Sequence, residues 1–364
     1  MKIAHVVDSM EIGGAETLVL QMCRLQREQG HDPRVYAIAG LGALGEQMQS
    51  EGFVVQARTG DHFLDTSRRF FRIFRESCPD VVHLHNPTPT IYAALPARMA
   101  GISSVVSTRH SLVEPPHKRV VELKYAVAAR CCNWIVGICD ATADNLFRLH
   151  TLPARKIVRV YNGAVALERA APDHVSGKRG FTLLYVGRLA PVKNLPFLFE
   201  AFQRALPTIP QSRLWIVGDG SERPALEDMA GRLKIAHCTT FWGQQLDVAR
   251  YFSEADAFVM SSKSEGLPMS LLQAFSLGLP AIVTDVGGMA EVVRLAQAGL
   301  TVSLTDPGAM AEAIIRLAFS EADRRRFASA AAQAFHSMFS LQSMVTAYEE
   351  LYRNIRPTRS LMKK

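Results

Sequence analysis

The sequence predicts an α/β protein with two doubly wound, Rossmann-like parallel sheets, one in each half of the chain. Short apolar runs alternate with helix-patterned segments in both halves, which is the pattern of repeated β-α-β units. A polar stretch from Asn162 to Gly180 separates the halves, and 364 residues suit two domains. We therefore expect domains at residues 1–170 and 171–340, followed by a helix and a basic tail at residues 341–364.

The composition is that of a protein with real hydrophobic cores, since 48% of the residues are hydrophobic and 21% are charged. The net charge of +7 suits anionic partners, including phosphorylated substrates and acidic lipid surfaces. No apolar run reaches the roughly 18 residues of a membrane span, and the start of the chain has the pattern of a strand rather than of a signal peptide. The six cysteines form no Cys-x-x-Cys pair, so we expect a cytoplasmic protein with reduced thiols.

The first half contains seven runs that we expect to be strands. They are residues 3–7, 34–39, 53–56, 79–85, 103–108, 134–137 and 157–161. After the first strand, Gly13 and Gly14 precede a helix that contains Glu16, and glycines at such a turn let the backbone approach a phosphate closely. The pattern is not the Gly-x-Gly-x-x-Gly dinucleotide fingerprint, which argues against a dehydrogenase.

Residues 65–76 predict a basic amphipathic helix, with Phe70, Phe71 and Phe74 pointing broadly one way and four arginines on the other faces. Two interpretations stay open. The phenylalanines pack on the sheet while the arginines face water, which we expect. Alternatively, the helix lies peripherally on an acidic inner membrane face.

Histidines end two of the expected strands. His83 and His85 share one face of their strand because they are two residues apart. We expect that His85 has a structural role or lines the binding site of a substrate. A metal site would need further ligands, and we find no third residue spaced to complete one. His110 follows the strand at residues 103–108, where a histidine can donate to a hydroxyl or to a growing negative charge.

The second half repeats the alternation. Its expected strands include residues 181–186, 214–218, 239–243 and 257–260, and its expected helices include residues 195–206, 223–233, 269–277, 289–296, 308–319 and 337–355. Arg188 and Lys193 lie in the loop between the first strand and the first helix of this half. Two cations near a helix start are suited to neutralising a diphosphate.

The segment after the strand at residues 257–260 is the most informative in the chain. It runs through a polar turn to Glu265, Gly266, Leu267 and Pro268, and then into a helix. The free N–H groups and positive dipole end of such a helix bind anions. On spacing alone two interpretations of Glu265 stay open. It is a solvated loop acid, or it is a carboxylate beside an anion site that accepts hydrogen bonds from sugar hydroxyls, as in a nucleotide-sugar site.

This segment, Glu265-Gly-Leu-Pro-Met-Ser-Leu-Leu-Gln273, with Gly-Leu-Pro and Thr-Asp-Val-Gly-Gly after it, resembles the signature of family 4 retaining glycosyltransferases of the GT-B fold. Members carry two glutamates with seven residues between them, of which the first contacts the donor sugar and the second the ribose. Here Gln273 replaces the second glutamate, keeping an acceptor oxygen but losing the charge. Gly-Arg188-Leu and Lys193-Asn are similar to the part of the family that holds the donor diphosphate.

The first half also resembles the family. The Gly13-Gly14 loop corresponds to the loop over the donor diphosphate, and His110 to the histidine that faces the donor sugar. The resemblance implies the GT-B arrangement, with two domains facing a cleft and a last helix that crosses back to the first domain. It also implies that the donor binds mainly to the second domain and the acceptor to the first, where Glu16 and His85 are the acceptor-side candidates.

The function implied is a retaining hexosyl transfer from a UDP- or GDP-linked sugar to a glycan or lipid-linked acceptor, in cell-surface polysaccharide or glycolipid biosynthesis. No Asp-x-Asp occurs where a divalent ion would be expected, so we expect no metal and no cofactor, and we expect no nucleic-acid partner. One alternative is a catalytically inactive GT-B module that binds a nucleotide or glycan in an assembly complex, for which Gln273 is the support. Another is a GT-B epimerase or phosphorylase; the Gly13-Gly14 loop and the size favour a transferase.

Overall fold

A computed structural model of the chain describes residues 1–57, 63–113, 119–149, 151–170, 180–245 and 247–354. The chain forms two compact units, of which the first comprises Met1–Gly163 and the residues from Leu341 onward, and the second comprises Ala164–Ser340. Residues 164–170, which we expected in the first domain, therefore lie in the second unit. There the backbone N–H groups of Leu167 and Ala170 donate to Ser276 Oγ and Ser253 Oγ, at 3.1 and 3.0 Å. Residues 171–179 of the expected linker lie outside the described residues.

The first unit contains a seven-stranded parallel sheet. Its strands are β1 (Lys2–Ser9), β2 (Asp32–Gly40), β3 (Val54–Ala57), β4 (Val81–His85), β5 (Ser104–Arg109), β6 (Trp134–Gly137) and β7 (Ile157–Arg159). Its helices are α1 (Gly14–Glu28), α2 (Gly42–Ser50), α3 (Phe63–Ser77), α4 (Pro87–Met99), α5 (Arg119–Ala129) and α6 (Asp140–Arg148). The strand order is β3-β2-β1-β4-β5-β6-β7. Every residue of β4, β5 and β6 is buried, as expected of parallel strands covered on both faces by helices.

The second unit contains a six-stranded parallel sheet. Its strands are β8 (Thr182–Val186), β9 (Arg213–Val217), β10 (Thr239–Gly243), β11 (Ala257–Met260), β12 (Ala281–Thr284) and β13 (Gly299–Val302). Its helices are α7 (Leu195–Ala205), α8 (Arg223–Arg232), α9 (Ala249–Glu254), α10 (Met269–Ser276), α11 (Gly287–Ala296), α12 (Pro307–Phe319) and α13 (Glu321–Ala334). The strand order is β10-β9-β8-β11-β12-β13. The prediction of two doubly wound parallel sheets is confirmed.

The last described helix, α14 (Leu341–Arg353), belongs to the first unit. Tyr348 Oη is 3.0 Å from Thr108 Oγ1 on β5, and the indole N–H of Trp134 donates to the carbonyl of Asn354 at 2.6 Å. The chain thus returns to the first unit, as the resemblance implied. The continuous helix expected at residues 337–355 is wrong, because a π-helical turn at Phe335–Phe339 and extended backbone at Ser340 precede α14.

Two expectations for the first unit need correction. Phe70 and Phe74 of α3 are buried in the core, but Phe71 is 36% exposed and does not share their face. The sequence of residues 112–124 is rich in proline and basic residues and has no clean period, which predicts a loop. Instead, its last six residues are the first six of α5, while residues 114–118 lie outside the described part. Among the described helices, none has both the length and the apolar character that crossing a bilayer requires.

Candidate active site

The strand order of the second sheet reverses direction between β8 and β11. In doubly wound sheets the chain leaves two such neighbouring strands toward opposite faces, which opens a crevice at their carboxyl ends where ligands bind. The loop after β8 carries Arg188 and Lys193, and the loop after β11 carries Glu265. The three charged residues singled out in the sequence therefore flank one topological switch point.

Lys193 and Glu265 are in direct contact at this point. Lys193 Nζ forms a short ion pair with Glu265 Oε1, and Ser262 Oγ donates to the same oxygen at 2.9 Å. The side chains of Lys193 and Glu265 are 18% and 14% exposed. Because little water competes at such a position, this pair is held more firmly than an exposed surface pair.

Further hydrogen bonds fix the two loops to each other. Ser261 Oγ donates to the carbonyl of Lys193 at 3.0 Å, and the backbone N–H of Lys263 donates to the carbonyl of Val192 at 2.8 Å. Arg188 is exposed, and its carbonyl accepts from Tyr185 Oη at 3.1 Å. The backbone around both cations is thus tied to the sheet, while the guanidinium of Arg188 reaches toward solvent.

The residues after Glu265 lead into α10. Gly266 and Leu267 are buried, and Pro268 directly precedes the first helical residue. The carbonyl of Glu265 also accepts from the N–H of Gly288 in the first turn of α11, at 3.4 Å. The first turns of α10 and α11 therefore both lie near this loop, and each offers N–H groups to an anion. Gln273 is half-buried in the second turn of α10.

The first sheet has its own switch point, between β1 and β4, and α1 begins in the loop after β1. A Cβ atom at Gly13 would lie 2.3 Å from Glu16 Oε2, so a larger residue there would push the Glu16 carboxylate aside. A Cβ on Gly14 would meet no described atom within 4 Å, so the backbone of Gly14 is open to close approach. Burial raises the pKa of Glu16, and the nearby carboxylate of Asp8 raises it further, although the backbone N–H of Glu16 opposes the shift.

Histidines on β1, on β4 and directly after β5 form a hydrogen-bonded chain beside this switch point. Gln26 Oε1 is 2.9 Å from His5 Nε2, His5 Nδ1 is 3.1 Å from His85 Nε2, and His85 Nδ1 is 3.1 Å from His110 Nε2. His85 and His110, predicted separately from the sequence, are therefore brought together. Asn86 Oδ1 fixes the backbone of His110 by accepting its N–H at 3.1 Å.

The direction of this chain follows from its far end. With Gln26 Oε1 as acceptor, His5 carries its proton on Nε2, and each neutral imidazole then donates from Nε2 toward His5. His110 Nδ1 is left as a lone pair that is buried and has no partner among the described residues. Burial lowers the pKa of both His5 and His110 to about 4, which keeps them neutral at pH 7. With this set of tautomers, His110 Nδ1 offers an acceptor to a ligand.

His5 also supplies the third histidine that the sequence pattern did not reveal. Ligand atoms of His5, His83 and His85 lie within 4.8 Å of one another, close enough in principle to hold a metal ion. However, His83 Nδ1 is 2.8 Å from Tyr352 Oη, and His83 Nε2 is 2.8 Å from Thr108 Oγ1. Since the nitrogens of all three rings already have hydrogen-bond partners, a metal would have to displace them. We interpret the cluster as a hydrogen-bonded network.

Both units match families of glycosyltransferases. Residues 12–165 match the family described as Glycosyltransferase Family 4, and residues 180–319 match the family described as Glycosyl transferases group 1. The chain is a family 4-type glycosyltransferase with the GT-B fold.

Individual relatives agree with this assignment of the glycosyltransferase. It is 28% identical over 265 residues to the UDP-Gal:alpha-D-GlcNAc-diphosphoundecaprenol alpha-1,3-galactosyltransferase of Escherichia coli, covering 68% of each chain. It is 27% identical over 283 residues to the glycogen synthase of Mycobacterium tuberculosis, covering 75% of this chain and 68% of that protein. Among solved structures, Anabaena Alr3699/HepE in complex with UDP superposes with a TM-score of 0.86 at 19% identity, covering 96% of this chain and 99% of that one.

Several residues of the glycosyltransferase's two sites were not found by sequence reasoning. His5 lies next to His85 because β1 pairs with β4, with His5 opposite His83, and Gln26 of α1 joins the cluster through its contact with His5. The spacing of His83 and His85 gave the face of β4, but no sequence pattern gave the pairing register. Ser262 was visible beside Glu265, but a serine in a polar turn carries no signal of its own.

Proposed function

We propose that this glycosyltransferase moves a hexose from a UDP- or GDP-linked donor to a hydroxyl of a glycan or lipid-linked acceptor, with retention at the anomeric carbon and without a metal ion. The matched families and the name of the Escherichia coli relative support this, since that enzyme uses UDP-Gal and a diphosphoundecaprenol-linked acceptor. The reaction belongs to cell-surface polysaccharide or glycolipid biosynthesis, and no cofactor takes part.

The contact between Lys193 and Glu265 at the second switch point is the observation that carries the proposal. As the bond between the anomeric carbon and the diphosphate oxygen breaks, its electron pair leaves with the diphosphate. Lys193, Arg188 and the N–H groups at Gly266, Leu267 and the start of α10 stabilise the growing negative charge. Preorganised donors of this kind supply charge stabilisation without a divalent ion.

Glu265 acts on the other partner of the same bond. Its carboxylate orients the hexose by accepting hydroxyl hydrogens and offsets the positive charge that develops at the anomeric carbon. The acceptor oxygen bonds to the face that the diphosphate leaves, and its proton passes to the departing diphosphate oxygen. Gln273 accepts a hydrogen bond from a ribose hydroxyl.

The first unit supplies the remaining residues of the proposal. The Gly13-Gly14 turn approaches the diphosphate, and His110 accepts a hydrogen bond from a sugar hydroxyl through its free Nδ1. Glu16 and His85 are on the acceptor side, where His85 fixes the tautomer of His110. The enzyme works in peripheral contact with an acidic membrane face.

Purified protein tests the proposal directly. UDP- and GDP-hexoses are incubated with the enzyme, and release of nucleotide diphosphate is followed with and without glycan or polyprenyl-diphosphate-sugar acceptors. We expect Glu265→Gln and Lys193→Ala to reduce turnover at least about 100-fold, the scale of losing one preorganised electrostatic group. Glu312→Gln, an exposed substitution on α12, is the matched control. Turnover that survives both substitutions refutes the assignment, and NMR of the product decides whether the anomeric configuration is retained.

A catalytically inactive binding module is the second candidate, and Gln273 is the observation that favours it. The uncharged amide at this position weakens the grip on ribose relative to a carboxylate. This candidate predicts nucleotide binding without donor hydrolysis or transfer. Turnover of any UDP- or GDP-hexose that depends on Glu265 excludes it.

A further inference from the structure

The first unit has an apolar groove on its outer surface, formed by α3, α4 and α5. Its cavity volume of about 890 Å³ is at the upper end of the roughly 300–1,000 Å³ of small-molecule sites. Phe63 and Phe71 of α3, Leu95 and Met99 of α4, and Leu123 of α5 line its wall. Its lining residues lie on these three helices and directly after α5, and none of them is on a strand.

The spacing of the lining residues along the helices produces this wall. The lining positions recur every four residues on α3 and α4, as in Leu95 and Met99, so they form one stripe on each helix. The buried stripe of α3 is a different one, made by Phe70 and Phe74. The helix therefore has two apolar faces, and only one of them is used by the core.

The unused face is strongly exposed. Leu64, Met99 and Leu123 are each exposed to 62% or more. Single exposed apolar residues are common, but a contiguous apolar patch on a protein surface marks an interaction site. This patch is therefore a candidate binding surface for a partner that buries its apolar side chains.

Two cations lie in the same patch, and α3 carries further exposed ones. Arg68 and Lys124 lie in the lining itself, and Arg72 and Arg75 are exposed on the flanks of α3. The sequence of α3 contains four arginines against two acids. An apolar groove with a basic rim is complementary to a molecule that is hydrocarbon on one side and anionic on the other.

We infer that this groove receives the hydrocarbon chain of an anionic membrane lipid, with the rim cations contacting its phosphate headgroup. A protein partner would need about one hydrogen bond per 100–200 Å² of interface, and apart from Ser67, Arg68 and Lys124 the lining residues are apolar. A lipid chain needs none. The inference rests on the proposed function, because it names the membrane contact of the same enzyme and gives it a location.

Vesicle flotation tests the inference. The full chain is mixed with vesicles of phosphatidylcholine containing about one-third phosphatidylglycerol, and with vesicles of phosphatidylcholine alone. We expect binding to the anionic vesicles that weakens with salt, and at least tenfold weaker binding for Leu95→Asp with Met99→Asp. The matched control is Leu295→Asp with Phe319→Asp, which changes two equally exposed apolar residues of the second unit and is expected to leave binding unchanged.

The rim is tested separately with Arg68→Gln and Arg72→Gln. Each is expected to weaken binding to the anionic vesicles about fivefold, since a basic residue near an acidic surface contributes on the order of 1 kcal/mol. Equal binding of all variants, or no binding by the unaltered chain, overturns the inference. So does a dimer that dissociates on Leu95→Asp, because a second copy would then cover the groove.

The same variants keep this inference distinct from the proposed function. UDP affinity and donor hydrolysis are expected to be unchanged in Leu95→Asp with Met99→Asp, because the groove is lined by residues of the first unit alone, whereas Lys193 and Glu265 belong to the second. Vesicle binding with no donor turnover in the unaltered protein would refute the proposed function alone. Donor turnover without vesicle binding would refute the groove alone.

Discussion

Replacing Glu265 with glutamine should strengthen binding of UDP while weakening catalysis. In the structure Glu265 holds Lys193 Nζ, yet in the proposed reaction the same ammonium group neutralises the diphosphate. Binding of a diphosphate must therefore compete with the carboxylate for Lys193. Glutamine keeps the length and the acceptor oxygen but removes the charge, so Lys193 becomes easier to recruit.

The expected change in UDP affinity follows from the burial of the ion pair between Lys193 and Glu265. The two side chains are 18% and 14% exposed, and Ser262 adds a hydrogen bond to the same carboxylate oxygen. A hydrogen bond to a charged group contributes about 1.5–3 kcal/mol, and the lower figure applies because the pair is not fully buried. If UDP no longer has to break an interaction of about 1.5 kcal/mol between Glu265 and Lys193, it should bind roughly tenfold more tightly.

Isothermal titration of UDP, alongside initial rates with the preferred donor, measures both effects. Glu312→Gln makes the same change of charge at an exposed position of α12 and should alter neither quantity. Unchanged or weaker UDP binding by Glu265→Gln would contradict the reasoning, because Lys193 would then have no part in holding the diphosphate. A purely structural role of the pair would lower both affinity and turnover together.

Further expectations concern the nucleotide, the metal and the buried histidines. Gln273→Glu should tighten UDP binding up to about fivefold through a charge-assisted bond to ribose, and an unaltered dissociation constant would place Gln273 elsewhere. Turnover should be unaffected by EDTA; loss that a divalent ion restores would contradict metal independence. Because the pKa of His5 is lowered from 6.5 to about 4, the unfolded chain takes up its proton first as the pH falls. Its stabilising contribution is complete above pH 6.5 and is lost between pH 6.5 and 4, by about 1 kcal/mol at pH 5.5. Urea unfolding at pH 7 and 5.5 measures this, and a His5→Gln variant with the same pH slope would refute it. Tyr352→Phe should cost about 1 kcal/mol of unfolding free energy, measured the same way, since it removes the hydroxyl beside His83.

The sequence was most informative for residues whose position depends on a single strand, turn and helix that follow one another along the chain. Glu265 and the start of α10 lie on a single strand-turn-helix unit, so local pattern was enough to locate them. Lys193 could be placed near a helix start for the same reason. Its contact with Glu265 depends on β8 lying beside β11, and the apolar character of both strands predicts burial but not neighbours.

Sequence reasoning was weakest where long-range pairing or unusual helix composition decides. The helix α4 was missed because Pro87, Pro89 and Pro96 discourage a helical interpretation, although the first two lie in its first turn, where proline is tolerated. The outward position of Phe71 was missed because three phenylalanines within five residues suggest one apolar face. When a helix has two apolar faces, its apolar residues follow two overlapping helical patterns. A sequence pattern that assumes one apolar face per helix cannot tell which residues belong to which face.

The return of α14 to the first unit has a consequence for the order in which the protein can mature. Tyr348 and Tyr352 complete the surroundings of His83, but they are translated about 190 residues after Gly163, the last residue of the unit's first segment. At typical elongation rates of about 5–20 residues per second, the nascent first unit waits roughly 10–40 s for these phenols. During that interval His83 lacks its contacts with Tyr348 and Tyr352. The first unit is therefore complete only after α14 has been synthesised and has packed against it.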